Sequence, residues 1–416
     1  MPQISRNVDA QSSGVARKAR SLAIAIGGML ALASAMGIGR FVYTPILPAM
    51  AEAVGLTKAA SGLIASANFA GYLLGALLLA LPRLPGCRRT WFFGALTVGA
   101  AATAAMGLVD QLAGFLLLRF LGGAASAFVL VLGSALVLDR LAASGRMALA
   151  PLHFAGVGVG IAISAVVVDG LQMADSGWRS LWFATGAVAA LAIPLCVWLI
   201  PGDPSPLSNP AAVRASAGPV RGLAGLSLCH SLFGFGYVIT ATFLVAAVRA
   251  APGAHALETT VWVVVGLAAI PSVAIWGWVG RRWGVLRAYS LACLAEAVGV
   301  AAGGLWPNMP GALLASVLLG GTFMGITALG FVAARELAPE QQRRSAALMT
   351  AGFGVGQIVG PVVAGWLLDR VDNFMLPSLL GATALVAGAV VAMHTARSLT
   401  RLRRPEAAAF RQLGNP

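Results

Sequence analysis

Apolar, glycine-rich stretches of membrane-spanning length alternate with short polar breaks along this chain, and the alternation runs twelve times. The stretches lie near 22–46, 58–82, 91–108, 113–138, 147–168, 178–200, 223–248, 259–280, 288–305, 311–334, 345–368 and 375–394. About 20 consecutive apolar residues in a helix cross the hydrocarbon core of a bilayer. The pattern therefore predicts an all-α membrane protein with 12 transmembrane helices. The one sizeable break is 201–222, where Pro201, Pro204, Pro206, Pro210 and Pro219 read as an extended linker. It divides the spans six and six: a tail over 1–20, one bundle over 21–200, the linker over 201–222, a second bundle over 223–394 and a tail over 395–416. The remaining loops are short, so neighbouring helices run antiparallel. No extra-membrane domain large enough for a receptor or a multidomain enzyme remains.

The two bundles echo one another. Gly37-Ile38-Gly39-Arg40 returns as Gly234-Phe235-Gly236-Tyr237, Arg83-x-x-Gly86 as Arg281-x-x-Gly284, and Leu121-Gly122-Gly123 as Leu319-Gly320-Gly321. The offsets are 197, 198 and 198. A nearly constant offset points to duplication of a half-molecule. Two parallel membrane repeats are a common way to place a substrate site at the interface between halves, so the pattern implies a carrier of small molecules embedded in a lipid bilayer.

Composition sharpens this picture. The chain is 59% hydrophobic and only 10% charged, whereas roughly a quarter of the residues of a soluble domain are charged. Its net charge of +14 would suit nucleic acid, but the distribution rejects that partner. Of the 28 Lys and Arg, 22 fall on the side of the termini, Lys58, Arg179, Arg249 and Arg370 fall on the other, and Arg40 and Arg119 lie inside spans. This positive-inside bias predicts cytoplasmic termini. Residues 1–20 hold no apolar core, so the first span reads as an uncleaved anchor. Cys87, Cys196, Cys229 and Cys293 lack metal-ligand spacing and imply no disulfide framework. No phosphate-binding Gly-x-x-x-x-Gly-Lys-Ser/Thr loop is present. Neither a catalytic cluster, a cofactor site nor a metal site is expected, and energy has to come from gradients.

The halves resemble the major facilitator superfamily over essentially the whole chain. Its loop motif between spans two and three survives as Gly277-x-x-x-Arg281-Arg282-x-Gly284, and in a degenerate form around Arg83-Leu84-Pro85-Gly86-Cys87-Arg88-Arg89, with Arg at the usual Asp position. Arg119-Phe120-Leu121-Gly122-Gly123 is similar to the span-four element, and Gly177-Trp178-Arg179 to the start of span six. More narrowly, Gly37-Ile38-Gly39-Arg40-Phe41-Val42-Tyr43-Thr44-Pro45-Ile46-Leu47-Pro48 resembles the first-span signature of the YbfB/YjiJ-type branch of bacterial inner-membrane carriers. The resemblance implies alternating access, a monomer, and a central cavity lined by spans one, four, seven and ten.

Arg40 is the sharpest candidate for chemistry. It sits within the first span among apolar and glycine neighbours, where an arginine costs roughly 2.5–3.5 kcal/mol to insert and stays charged. A carboxylate, carbonyls, water or an anionic substrate has to compensate. Arg119 in span four lies at similar depth and has two readings, substrate contact or a brace on helix carbonyls. By the repeat, Arg40 corresponds to Tyr237 and Arg119 to Val317, so charge is confined to the first half and faces Phe233, Phe235 and Tyr237. The substrate-binding set expected here is Arg40, Arg119, Tyr43, Asn68, Tyr72, Phe235 and Tyr237. Asn68 and Tyr72 share a helix face, and their alternative role is to bond a neighbouring helix.

Glu296 in span nine is the one acid near the middle of a span, and with His153 and His230 it is a candidate for proton coupling. Each has a structural alternative, a satisfied group inside a bundle. Gly71 and Gly75, Gly156 and Gly160, and Gly352, Gly356 and Gly360 fall at small-x-x-x-small spacing and are expected to form smooth faces on which one half rocks against the other. Together these features predict a proton-coupled secondary carrier of a small organic anion. The alternatives are an exporter of drug-like neutral or cationic compounds, suggested by the glycine-rich fifth span, and a non-transporting sensor with a carrier fold.

Overall fold

The computed structural model describes residues 18–81, 85–200, 202, 222–251 and 257–413, with side chains described for all of these except 342–343 and 399–413. The expected linker over 201–222, apart from Gly202 and Gly222, lies outside the described residues, as do residues 1–17 and the Arg83 position.

Among the described residues, twelve helices are long and apolar enough to cross a membrane: α1 (Lys18–Val54), α2 (Lys58–Leu79), α3 (Arg88–Leu108), α4 (Leu112–Ala143), α5 (Met147–Met173), α6 (Trp178–Leu199), α7 (Leu223–Ala250), α8 (Glu258–Trp283), α9 (Val285–Leu305), α10 (Met309–Leu337), α11 (Arg344–Val371) and α12 (Met375–Ser398). There is no β-strand among the described residues. The helix that forms α12 runs on to Leu413, beyond the membrane-length segment, where a tail was expected from 395. The helices alternate in direction, so Lys18 and the residues after Ser398 share one face, termed the terminus face. The 55–57 and 372–374 turns lie on the opposite face.

Local chemistry sets several ends. Thr57 caps α2 by accepting a 3.1 Å bond from the Ala60 amide, and Asn308 caps α10 through Gly311 N–H at 3.1 Å. Gly55 ends α1 at φ 73°, and Gly284 divides α8 from α9 at φ 91°, backbone states that disfavour any side chain.

α1 is not one smooth helix. Its path widens into a π-helix over Ala33–Ile38, loosens through Gly39–Val42, and resumes as α-helix from Tyr43 to Val54. Pro45 has no N–H to offer the Phe41 carbonyl and its ring crowds it. That carbonyl instead accepts a 3.2 Å bond from Thr44 N–H. Pro48 repeats the defect one turn later.

Two six-helix halves assemble from these spans. The expected glycine faces act within the halves, which corrects the prediction that they form the sliding surface. A Cβ on Gly71 or Gly75 would strike α4 at Phe120 and Ala124. Gly156 and Gly160 abut α1 at Met29 and Ala33, and Gly352, Gly356 and Gly360 abut α7 at Ser227, Ser231 and Phe235. The spacing identified close-packed backbones correctly, but spacing alone does not name the partner helix. The glycines that meet across the halves are others. Gly62 and Gly365 bring α2 and α11 together at Pro361 and Lys58, and Gly158 and Gly266 bring α5 and α8 into mutual contact.

Polar bonds reinforce this cross-half packing on the opposite face. Asp369 of α11 accepts from the Lys58 and Ala59 amides at 2.8 and 3.0 Å, holding the first turn of α2. Thr259 of α8 donates to Asp169 of α5. Glu52 of α1 lies 3.9 Å from Arg249 of α7, which Glu258 also holds at 2.8 Å. Deeper in, Ser66 donates to the Ile358 carbonyl at 2.7 Å and Thr44 to the Ala241 carbonyl at 2.6 Å. Thr44 and Ala241 are separated by the repeat offset of 197 residues. Repeat-related residues meet only near the pseudo-two-fold axis, so the axis passes close to Thr44, just beyond Arg40.

Candidate functional site

Near the axis, at mid-depth, the two arginines take different roles. Arg119 donates from Nη1 to the Gly39 carbonyl at 2.9 Å and from Nη2 to the Arg40 carbonyl at 2.8 Å. These are carbonyls that the break in α1 deprives of a helical donor. The guanidinium thus replaces a missing piece of backbone, with the Tyr43 ring 5.2 Å from its Cζ. Asn68 donates to the carbonyl of Arg119 itself at 2.9 Å, and Tyr43 donates to the Ser61 carbonyl at 2.9 Å. Arg119, Asn68 and Tyr43 therefore form one brace tying α1, α2 and α4 together. For Arg119 and Asn68 the bracing alternative describes this geometry. Tyr43, grouped with the substrate contacts from sequence, sits in the same brace because its hydroxyl reaches α2 rather than the second half.

Arg40 is different. It is only 4% exposed, yet its Nε and Nη2 have no hydrogen-bond partner. Aromatic rings surround its Cζ: Phe69 and Tyr72 of α2 at 4.5 Å each and Phe41 at 5.6 Å. Cation–π attraction in such a dry setting is worth about 2 kcal/mol or more and offsets part of the cost of the buried charge. The rings attract the ion but cannot accept its N–H groups. Nε and Nη2 occupy the same edge of a guanidinium, with parallel N–H bonds that match the two oxygens of a carboxylate.

The second half answers with aromatic surface. Tyr237 is stacked with Phe233 (4.9 Å between centroids), Phe353 (5.9 Å) and Phe323 (6.0 Å). Gln357 donates to its hydroxyl, and Tyr237 stands near enough to Arg40 to interact electrostatically. Phe323 meets Phe41 edge-on at 5.7 Å across the halves. Phe41, Tyr237 and Phe323, with Ile161, Ala241, Trp262, Val265 and Leu319, line a cleft between the halves. The larger cavity, bounded by Thr240, Phe243, Gly303, Leu368 and Phe374, lies within the second half and away from Arg40.

Not every expected residue joins this centre. Phe235 lies two positions from Tyr237, about 200° around the helix, and packs beside α11 at Gly356 and Gly360 instead. His153 bonds Ser134 at 3.1 Å and fills the notch left by Gly28, inside the first half. His230 bonds Tyr289 at 3.2 Å inside the second. The two histidines are not brought together. Glu296 is fully buried in α9, with both carboxylate oxygens unpartnered by hydrogen-bond geometry, beside Thr322 and within electrostatic reach of Tyr237 and Tyr289. Among the described residues, no group of three His, Cys, Asp or Glu is arranged to hold a metal ion.

A family model described as "Uncharacterised MFS-type transporter YbfB" matches residues 32–393, nearly the whole membrane region. The chain belongs to this YbfB-type family of the major facilitator superfamily. It is a multi-pass membrane protein and a secondary transporter rather than an enzyme. No curated protein matches it. Among solved structures, a point mutant of the nucleoside transporter NupG superposes with a TM-score of 0.67 at 16% identity, covering 89% of this chain and 99% of that one. The NupG structure without that mutation gives 0.63 at 16% identity, with 90% and 98% covered. At that identity the likeness speaks for the fold alone. Sequence reasoning about this YbfB-type carrier missed Phe69, Trp262 and Phe323 because single aromatics in apolar spans carry no pattern. Their one signal is adjacency, Phe69 to Asn68 and Phe323 to the repeated Gly320-Gly321 pair.

Proposed function

We propose that this carrier moves a small organic anion, a carboxylate, by alternating access across a bacterial inner membrane, as a monomer with both termini in the cytoplasm. The carrying observation is the paired, unpartnered Nε and Nη2 edge of Arg40 in a ring-lined centre between the halves. An incoming carboxylate supplies the two acceptors that edge lacks, and the aromatic wall around Tyr237 supplies its apolar contact. The cross-half bonds at Asp369, Asp169 and Glu52 all lie on the face opposite the termini. That distribution supports a state closed to the outside.

Proton coupling in this reading rests on Glu296. A carboxylate buried without donor or counter-ion is costly, so this group is the natural place to carry a proton through the cycle. The remaining reading, an exporter of neutral or cationic compounds, draws on the aromatic lining of the same cleft. A sensor would bind ligand without flux.

Purified protein in liposomes loaded with a pH dye, given inward gradients of carboxylates, tests all three. Carboxylate-driven acidification is expected, falling at least ~10-fold in Arg40→Ala, since a charge-assisted bidentate contact is worth about 2 kcal/mol or more. Glu296→Gln is expected to retain carboxylate exchange while losing the proton signal. Flux of neutral or cationic solutes that survives Arg40→Ala points to the exporter instead.

A further inference from the structure

Beyond charge, the site carries information about substrate shape. Resting on the anion reading above, we infer that the substrate class is a planar aromatic carboxylate, with its carboxylate on the Arg40 edge and its ring between Phe41 of the first half and Tyr237, Trp262 and Phe323 of the second.

The Arg40 guanidinium carbon lies over the rings of Phe69 and Tyr72, both at 4.5 Å. Arg40 Nε and Nη2 remain without partners, and its Cζ is 5.6 Å from the ring of Phe41, a wall of the cleft. A carboxylate docked there is coplanar with the guanidinium, and a ring conjugated to it is flat in turn.

The cleft wall is aromatic as well. Tyr237 lies within 11° of the plane of Phe323 and within 10° of Phe353, and Phe233 lies within 12° of Phe353. Tyr237 and Phe323 line the cleft, held in a stack with Phe353 and Phe233, and such rings reward contact with another planar group over a puckered one of equal size. The lining contains no carboxylate, and its Trp262 indole N–H also lacks an acceptor. Phe41 and Ile161 come from the first half and the other six lining residues from the second. In the state described, the cleft has space for little more than a water. Separation of the halves would open it between opposing walls, so the ring would be gripped as they close.

Benzoate and cyclohexanecarboxylate have equal charge and similar size but differ in planarity. Their affinities for the purified, full-length protein can be compared by quenching of tryptophan fluorescence and, for confirmation, by titration calorimetry. Benzoate is expected to bind ~5-fold or more tightly than cyclohexanecarboxylate, following the usual worth of one or two aromatic contacts. Phe323→Leu should weaken benzoate more than cyclohexanecarboxylate and bring the ratio to within about 2-fold. Arg40→Lys, which keeps the charge but not the planar fork, should weaken both acids. Equal binding of the two acids, lost together in Arg40→Lys, would overturn the aromatic assignment and leave the anion carrier standing. Binding of neither acid, with benzamide or another neutral arene bound and unaffected by Arg40→Lys, would overturn both.

Discussion

The first spans of the two halves, α1 and α7, descend from the same repeat and have ended up unlike. α7 runs unbroken from Leu223 to Ala250 and places Tyr237, hydrogen-bonded and stacked, where α1 places a charge. α1 widens and breaks around Arg40. The sequence difference behind this is small: Pro45 and Pro48 of α1 fall where α7 has Thr242 and Val245. Pro45 leaves the Phe41 carbonyl to Thr44 N–H, so Thr44 no longer serves Arg40, and Arg119 of α4 holds the Gly39 and Arg40 carbonyls in the break. Val317, its counterpart by the repeat, has no such task because α7 is intact. An asymmetric site thus arises in a symmetric frame by breaking one helix and repairing it with a side chain from another.

The contrast can be broken most forcefully at Arg119. Arg119→Leu leaves the Gly39 and Arg40 carbonyls buried without donors, at about 1–3 kcal/mol each. We expect a large drop in folded yield and in the melting temperature of the purified protein, far exceeding the effect of Val317→Leu in the second half. Equal melting of the two variants would mean that the break needs no brace.

A smaller loss is expected from Gly123→Ala. A Cβ at this site runs into the Asn68 backbone, which positions the Asn68 side chain on the Arg119 carbonyl. Overpacking of this kind costs about 1–3 kcal/mol. Gly94, with open space around its Cβ position, is the control: Gly94→Ala should melt within a degree or two of the parent, and a matching loss there would assign the effect to glycine replacement in general.

Milder still is Thr44→Val, which removes the bond linking the two repeats at their axis. About 1 kcal/mol is at stake, and it should appear less in melting than in accessibility. Cysteine labelling at the face opposite the termini is expected to rise several-fold as the closed state loses population. Asp369→Asn, which weakens the hold on the first turn of α2, should act in the same direction and by no more. Unchanged labelling in both variants would remove these bonds from the closing device.

Much of this molecule is legible in its sequence. Twelve spans, the two-half plan and the family resemblance follow from span length, the repeat offset and the signature around Arg40, because lipid imposes one-dimensional rules on each segment by itself. The glycine spacings are legible as close packing but not as packing partners. Gly71 and Gly158 look equivalent in sequence, yet one meets a helix of its own half and the other meets the opposite half. The helix bearing Arg40 is legible as a span but not as a broken one, although Pro45 and Pro48 stand in plain view, since prolines in membrane helices often leave the path nearly straight.

By itself, then, the sequence determined the architecture, the uneven charge of the two halves and the presence of two intramembrane arginines that required partners. Tertiary structure alone decided which partner each received. Arg119 lies where a broken helix offers two carbonyls within 3 Å, whereas Arg40 lies among three rings with its Nε and Nη2 left unpartnered. Whether a buried cation is spent on the fold or left for a ligand depends on which acceptors stand within hydrogen-bond range. Residues from α1, α2, α4 and α7, far apart along the chain, set that distance only once the helices have packed.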